Sequence, residues 1–119
     1  MSGEIDKLIV FYYDYIGEAY FLDALAKFSI GEGFGLEYVW CVFSHYYETW
    51  EDDYFGDEGV AFYFEPPAVK VEETIILNNN EFYRYLEEAA MRYTDKNSDS
   101  KKDIIKYLKK VKVYLNISH

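Results

Sequence analysis

The chain has 119 residues, 50% of them hydrophobic, and its 22 acidic and 12 basic side chains give a formal net charge of −10. This composition excludes intrinsic disorder as the main state, and the length predicts one domain with its own core. No apolar run approaches the roughly 20 residues of a membrane span, and we expect no signal peptide. The charge argues against direct binding to nucleic acid or an anionic membrane, and it suits a basic partner.

The charge is unevenly distributed along the chain. Residues 1–95 carry a net charge of −15 and residues 96–119 carry +5. We therefore expect an acidic body, followed from about residue 96 by a basic C-terminal helix or tail. We expect its lysines either to form a solvated helix face or to neutralise the acidic body within the fold. The single Cys41 cannot form an internal disulfide, which favours a reducing compartment.

Two helices are expected first in the chain. The apolar spacing over residues 5–16 fits one face of a helix, although the continuous apolar run Leu8–Tyr13 leaves a strand open. Glu18–Ser29 carries a clearer helical stripe. Gly31, Gly33 and Gly35 end this second helix and offer a left-handed C-cap.

Three strands follow, which we place at Leu36–Ser44, Val60–Glu65 and Val69–Leu77. Residues 45–59 are polar, acidic and punctuated by glycine, so they predict a loop. Pro66-Pro67 stops the second strand because proline cannot donate to a sheet ladder.

Two more helices complete the chain. One runs from about Glu81 to Tyr93 with its N-cap among Asn78–Asn80, and Ser98 or Asp99 caps the next. Val113–Ile117 has β character and predicts a short strand or a fraying end. The order predicts an α+β fold, in which a small antiparallel sheet of about three strands is covered on one face by about four helices.

The inventory of catalytic groups is poor. Cys41 lies between apolar neighbours in a predicted strand, where a thiol is inert, and the histidines are only His45 and His119. No phosphate-binding loop is present. The acidic residues of the loop could supply oxygen ligands, but their spacing does not match a calcium-binding hand. We expect no catalytic residue, no cofactor and no metal site.

Residues 44–65 are the most distinctive stretch, with seven acidic residues, eight aromatic residues and no Lys or Arg. One interpretation is a solvated acidic loop whose aromatic rings turn back into the core. The other is a docking surface, in which the acids steer a basic partner and the rings anchor it. On composition alone, the candidate binding residues are Glu48, Trp50, Glu51, Asp52, Asp53, Tyr54, Asp57 and Glu58.

The string FLDALAKFSIGEGFGLEYVWCVFS, the acidic loop after it and the string NNNEFYRYLEEAAMRY together resemble a known family over about residues 16–94. They are similar to the CdiI-type immunity proteins that are paired with ribonuclease toxins in bacterial contact-dependent growth inhibition (CDI). The resemblance implies a cytoplasmic protein without enzyme activity. It would bind the C-terminal nuclease domain of a cognate toxin and block the active site or its RNA entry.

Three other functions remain open from the residues. An acidic mimic of nucleic acid that inhibits another enzyme would share the charge logic. A small ligand-binding domain or enzyme would use a pocket lined by tyrosines. A structural subunit would pack its aromatic residues in an oligomer interface. The oligomeric state is not determined by these patterns.

Overall fold

A computed structural model describes residues 2–117. Its antiparallel sheet has the strand order β1-β2-β3-β4 and is packed against three helices, so the expected α+β class is confirmed, with four strands rather than three and three helices rather than four. The elements are α1 (Ser2–Phe28), β1 (Gly35–Leu36), β2 (Val39–Phe43), a 3-10 turn (Ser44–Tyr46), β3 (Val60–Phe64), β4 (Glu73–Leu77), α2 (Asn79–Lys96), a 3-10 turn (Ser98–Ser100) and α3 (Lys101–Tyr114).

The first two expected helices are two arms of α1, joined by a kink at Gly17. This residue has φ 70° and ψ 178°, a backbone conformation that glycine adopts without a steric penalty. Residues 5–16 are helical, so the strand alternative for this segment is wrong. Both arms turn fully buried side chains toward the core, among them Ile9, Tyr12 and Phe28.

The glycine run after α1 ends the helix and then allows the chain to pack closely against β2. The amide of Gly31 donates to Phe28 O at 3.0 Å and that of Glu32 to Lys27 O at 2.9 Å, with Gly31 at φ 79°. This pattern is a Schellman motif, and it confirms the left-handed glycine C-cap that was expected from the sequence. A Cβ on Gly33 would lie 2.0 Å from Cys41 O, so this position must be glycine for the turn to pack on β2.

One face of the sheet forms the core with the helices. Cys41 pairs with Phe62 across β2 and β3, and the ring of Phe62 lies 4.9 Å from that of Tyr12 on α1. On the same face, Phe43 contacts Phe28 of α1 at 5.9 Å and Phe82 of α2 at 5.4 Å. The expectation that the helices cover one face is therefore confirmed.

Two predicted strands begin too early. The second strand starts at Val39 rather than Leu36, and the fourth starts at Glu73 rather than Val69. Val71 lies in a turn and is 70% exposed. The alternating valines suggested strand, but a strand also needs a backbone partner, and the pairing of β3 with β4 ends at Phe64 and Glu73.

The two C-terminal helices differ in how they begin. Asn78 caps α2 as expected, and Glu81 completes a capping box by accepting from the Asn78 amide at 3.0 Å. The predicted cap of α3 is wrong, because a 3-10 turn leads into this helix without a side-chain cap. Of the two expectations for Val113–Ile117, the short strand is wrong, since α3 continues to Tyr114.

None of the helices within residues 2–117 combines the length and apolar character needed to cross a lipid bilayer. His119 lies outside the described residues.

Candidate protein-binding surface

The acidic loop, residues 45–59, folds over the face of the sheet that the helices leave open. The rings of Trp40 and Tyr63 stack on each other on this face, with their centroids 5.3 Å apart. The hydroxyls of Tyr47 in the loop and Tyr63 in β3 lie 3.1 Å apart. Phe55 adds a second ring contact, 6.2 Å from Tyr47. Part of the aromatic content of the loop therefore holds it against the sheet.

Hydrogen bonds hold the two ends of the acidic loop together. The amide of Ser44 donates to Gly59 O at 3.1 Å, and the Ser44 hydroxyl donates to Asp57 O at 3.0 Å. Gly59 in turn donates its amide to Asn79 Oδ1 at 2.9 Å. The loop thus enters and leaves at one point, above the start of α2.

Turns inside the acidic loop use some of its own polar groups. The amide of Glu51 donates to Glu48 O at 3.0 Å, and a carboxylate oxygen of Glu51 accepts from the Glu48 amide at 2.9 Å. The Tyr54 hydroxyl donates to Asp57, and this hydrogen bond raises the pKa of Tyr54. Next to the loop, burial raises the pKa of Tyr63, with smaller contributions from Tyr47 and Asp53. Tyr63 and Tyr54 are therefore neutral at physiological pH.

The structure brings the eight predicted site residues into one loop but gives them different exposure. Trp50 is 79% exposed, which is unusual for so large an apolar side chain. Glu51 and Tyr54 are half-buried and already bonded within the loop. The exposed members of the set are Glu48, Trp50, Asp52, Asp53, Asp57 and Glu58.

The carboxylates of the acidic loop are not neutralised by the fold. Within residues 2–117 there are three ion pairs, Lys27–Glu32, Arg84–Glu88 and Lys96–Glu18, and all lie outside the loop. Internal neutralisation by the α3 lysines is therefore not observed in the described part of the chain. The acidic loop therefore carries six carboxylates without an ion pair in the described residues, together with the exposed indole of Trp50, and its charge is strongly negative.

The prediction of site residues missed a cleft beside the acidic loop. It has a volume of about 690 Å³ and lies between the glycine turn and the first half of the loop. Trp40, Tyr46 and Tyr47 line it, together with Glu32 and Glu51. Tyr46 is 67% exposed. Sequence patterns could mark these rings as aromatic but could not separate exposed rings from those packed on the sheet.

The decisive comparison is with protein families. A family model described as CDI immunity protein matches residues 5–108, which is most of the chain. The chain belongs to the CDI immunity protein family. The matched range contains the whole acidic loop and extends into α3, beyond the segment that carried the resemblance. A search of curated proteins finds no match.

Membership establishes an immunity function directed at a toxin of contact-dependent growth inhibition, and with it a cognate toxin protein as the binding partner. The chemistry of this immunity protein suits binding more than covalent catalysis. Cys41 is 2% exposed, and burial raises the pKa of its thiol to about 11, so the thiolate form is rare at neutral pH. Nε2 of His45 lies 2.7 Å from Gly31 O, which ties this ring to the glycine turn.

Proposed function

We propose that this immunity protein neutralises the C-terminal nuclease domain of a cognate CDI toxin, a ribonuclease, by laying the acidic loop over its cationic active site or RNA entry. The observation that carries the proposal is a loop that combines six carboxylates, none in an ion pair within residues 2–117, with the exposed Trp50. Glu48, Asp52, Asp53, Asp57 and Glu58 would supply charge and Trp50 the central anchor.

The physical reason is competition for the same cations. A nuclease presents Lys and Arg side chains to the phosphates of its substrate, and an acidic surface of similar charge density competes for them. Charge raises the association rate, whereas a buried aromatic anchor lengthens the lifetime of the complex. Because the loop is held at both ends and against Tyr63, little of the binding free energy is spent on ordering it.

We further propose that the protein acts by occlusion alone, without enzyme activity or cofactor, and that it meets the toxin in the cytoplasm. The single thiol and the acidic character of the chain support a reducing compartment in which a basic protein is the partner. Nucleic acid is not a direct partner in this proposal, since the negative loop would repel it.

The first experiment mixes the chain with the toxin domain encoded beside it and follows RNA cleavage against the molar ratio of the two proteins. We expect cleavage to stop near one equivalent at low and at moderate salt. Full cleavage without complex formation would contradict inhibition of that toxin. Equal inhibition of unrelated nucleic-acid enzymes, relieved by added polyanions, would instead favour a general mimic of nucleic acid.

The second experiment tests the placement of the surface on the acidic loop. Five loop acids are changed together to amides (Glu48→Gln, Asp52→Asn, Asp53→Asn, Asp57→Asn, Glu58→Gln), and association with the toxin domain is measured by stopped flow. A matched variant removes the same charge elsewhere, from exposed acids (Asp23→Asn, Glu72→Gln, Glu73→Gln, Glu87→Gln, Asp95→Asn).

We expect the loop variant to associate about tenfold or more slowly at low salt and to lose most of its salt dependence, because local fields steer encounter. The matched variant should slow much less. An equal effect of both variants would mean that net charge, rather than the acidic loop, controls association.

A further inference from the structure

The cleft beside the acidic loop differs in charge from the other clefts of the molecule. Of five clefts compared on the surface of residues 2–117, it is the largest, at about 690 Å³, and no Lys or Arg lines it. Each of the other four is lined by at least one Lys or Arg. Its walls carry two carboxylates, from Glu32 and Glu51.

The rings of this cleft are arranged to meet a ligand from outside. Tyr46 is 67% exposed and stands edge-on to Tyr47, with ring centroids 5.1 Å apart and an interplanar angle of 80°. The stack on Tyr63 holds the ring of Trp40 in place. Three aromatic rings beside carboxylates form a site that favours an organic cation, because the negative ring faces and the carboxylates attract it together.

Among the described residues, no Lys or Arg lines this cleft, and its one imidazole, His45, is bound to Gly31 O through Nε2 at 2.7 Å. Glu32 pairs with Lys27 at 3.5 Å, but both side chains are more than half exposed and Lys27 does not line the cleft. One oxygen of Glu51 accepts from the Glu48 amide, which leaves its second oxygen for a ligand. Gly33 and Gly35 also line the cleft, and side chains at these positions would collide with Cys41 O and with Trp40.

We propose that this cleft receives a lysine or arginine side chain of the toxin. The proposal rests on the proposed function, since it names the chemistry that the partner inserts next to the acidic loop. The ammonium or guanidinium group lies between the faces of Trp40 and Tyr46 and faces Glu51, while its alkyl stem covers Tyr47. The cleft thus fixes the register of the complex, and the outer carboxylates accelerate encounter.

The test compares substitutions that remove one feature of the cleft at a time. Tyr46→Leu removes the ring and keeps an apolar side chain, and Tyr46→Phe keeps the ring. Glu51→Gln removes the charge and keeps an acceptor for the Glu48 amide, and Glu72→Gln removes the same charge from an exposed residue outside both the cleft and the acidic loop. Binding to the toxin domain is measured by surface plasmon resonance, after circular dichroism has shown that each variant is folded.

We expect Tyr46→Leu and Glu51→Gln each to weaken binding about tenfold, mainly through faster dissociation. Tyr46→Phe and Glu72→Gln should change it less than about threefold. Each Lys and Arg of the toxin is then replaced by alanine. One of these replacements should weaken binding to the unmodified chain but hardly weaken binding to Tyr46→Leu, because the two side chains share one contact. Equal binding by Tyr46→Leu and the unmodified chain would overturn the role of the cleft and leave the proposed function intact.

A probe that does not need the toxin separates the two proposals further. N-acetyl-arginine methylamide is titrated to tens of millimolar while the amide resonances of the chain are recorded. We expect saturable shifts at Gly33, Gly35 and Tyr46 that are absent in Tyr46→Leu and are not produced by the neutral N-acetyl-glutamine methylamide. Shifts spread over all acidic surfaces would overturn the cleft proposal. Failure of the unmodified chain to bind any toxin domain would overturn the proposed function instead.

Discussion

Replacement of Asn79 should release the far end of the acidic loop and the end of the chain together. Asn79 is the first residue of α2, and its side chain bridges two segments that are distant in sequence. Its Oδ1 accepts from the buried Gly59 amide at 2.9 Å, and its Nδ2 donates to Leu115 O at 3.3 Å. The change Asn79→Ala removes both contacts, whereas Asn80→Ala changes the exposed neighbour in the same helical turn.

The expected loss follows from the burial of the two partners. An orphaned buried amide costs about 1–3 kcal/mol, and the longer bond to Leu115 contributes about 0.5–1 kcal/mol. Alanine returns part of this because it favours helix over asparagine by about 0.5 kcal/mol or more. We therefore expect Asn79→Ala to lower the free energy of unfolding by about 2 kcal/mol. Asn80→Ala should stay within about 0.5 kcal/mol of the unmodified chain.

Urea denaturation followed by circular dichroism measures both variants, and hydrogen exchange reports where the change occurs. The amide of Gly59 should exchange faster in Asn79→Ala, because it has lost its acceptor. Equal stability of the two variants would refute the reasoning, since they share the helix effect and differ only in the bridge.

Three further predictions concern stability. The folded-state pKa of Cys41 is about 11 against an ordinary value of 9.0, so its contribution is complete below pH 9 and lost as the pH rises through 11. Between pH 8 and pH 10 the unmodified chain should therefore lose about 1.4 kcal/mol more unfolding free energy than Cys41→Ala, as measured by urea denaturation. An equal loss in both proteins would count against the buried thiol. Gly33→Ala should lower the free energy of unfolding by about 3 kcal/mol, because its Cβ would lie 2.0 Å from the backbone oxygen of Cys41. Gly3→Ala should leave it unchanged, because a Cβ there would have nothing within 4 Å. Similar thermal melts for the two variants would be contrary evidence. Trp50→Ala should leave stability within about 0.5 kcal/mol, since the ring is 79% exposed, and a larger loss would place the indole in the fold rather than at the surface.

The helices were largely predictable because their signals are local. The stripe from Glu18 to Ser29, the Asn78 cap and the Gly31 C-cap each act within a turn or two of backbone. The kink at Gly17 could not be separated from a break between two helices, because one glycine permits both. The early start assigned to β4 at Val69 has a different cause, since β-branched residues occur in exposed turns as well as in paired strands.

The acidic loop was identified from composition, and its eight candidate residues do lie in one loop. Composition could not distinguish Trp50, which projects outward, from Tyr47 and Phe55, which pack toward the sheet. It also could not place Trp40 beside Tyr46, because the cleft between them joins a strand, a glycine turn and the loop.

The α+β class, the helix caps at Asn78 and Gly31, the unbalanced charge and the acidic aromatic loop were predictable from the sequence, and its resemblance to CdiI-type immunity proteins is confirmed by the family match. These properties depend on residue type and short-range spacing. The folded structure was needed to show which face of the sheet the loop covers, which aromatic rings remain exposed and that the α3 lysines do not pair with the loop. Those properties depend on contacts between segments far apart in the chain, and local periodicity does not encode such contacts.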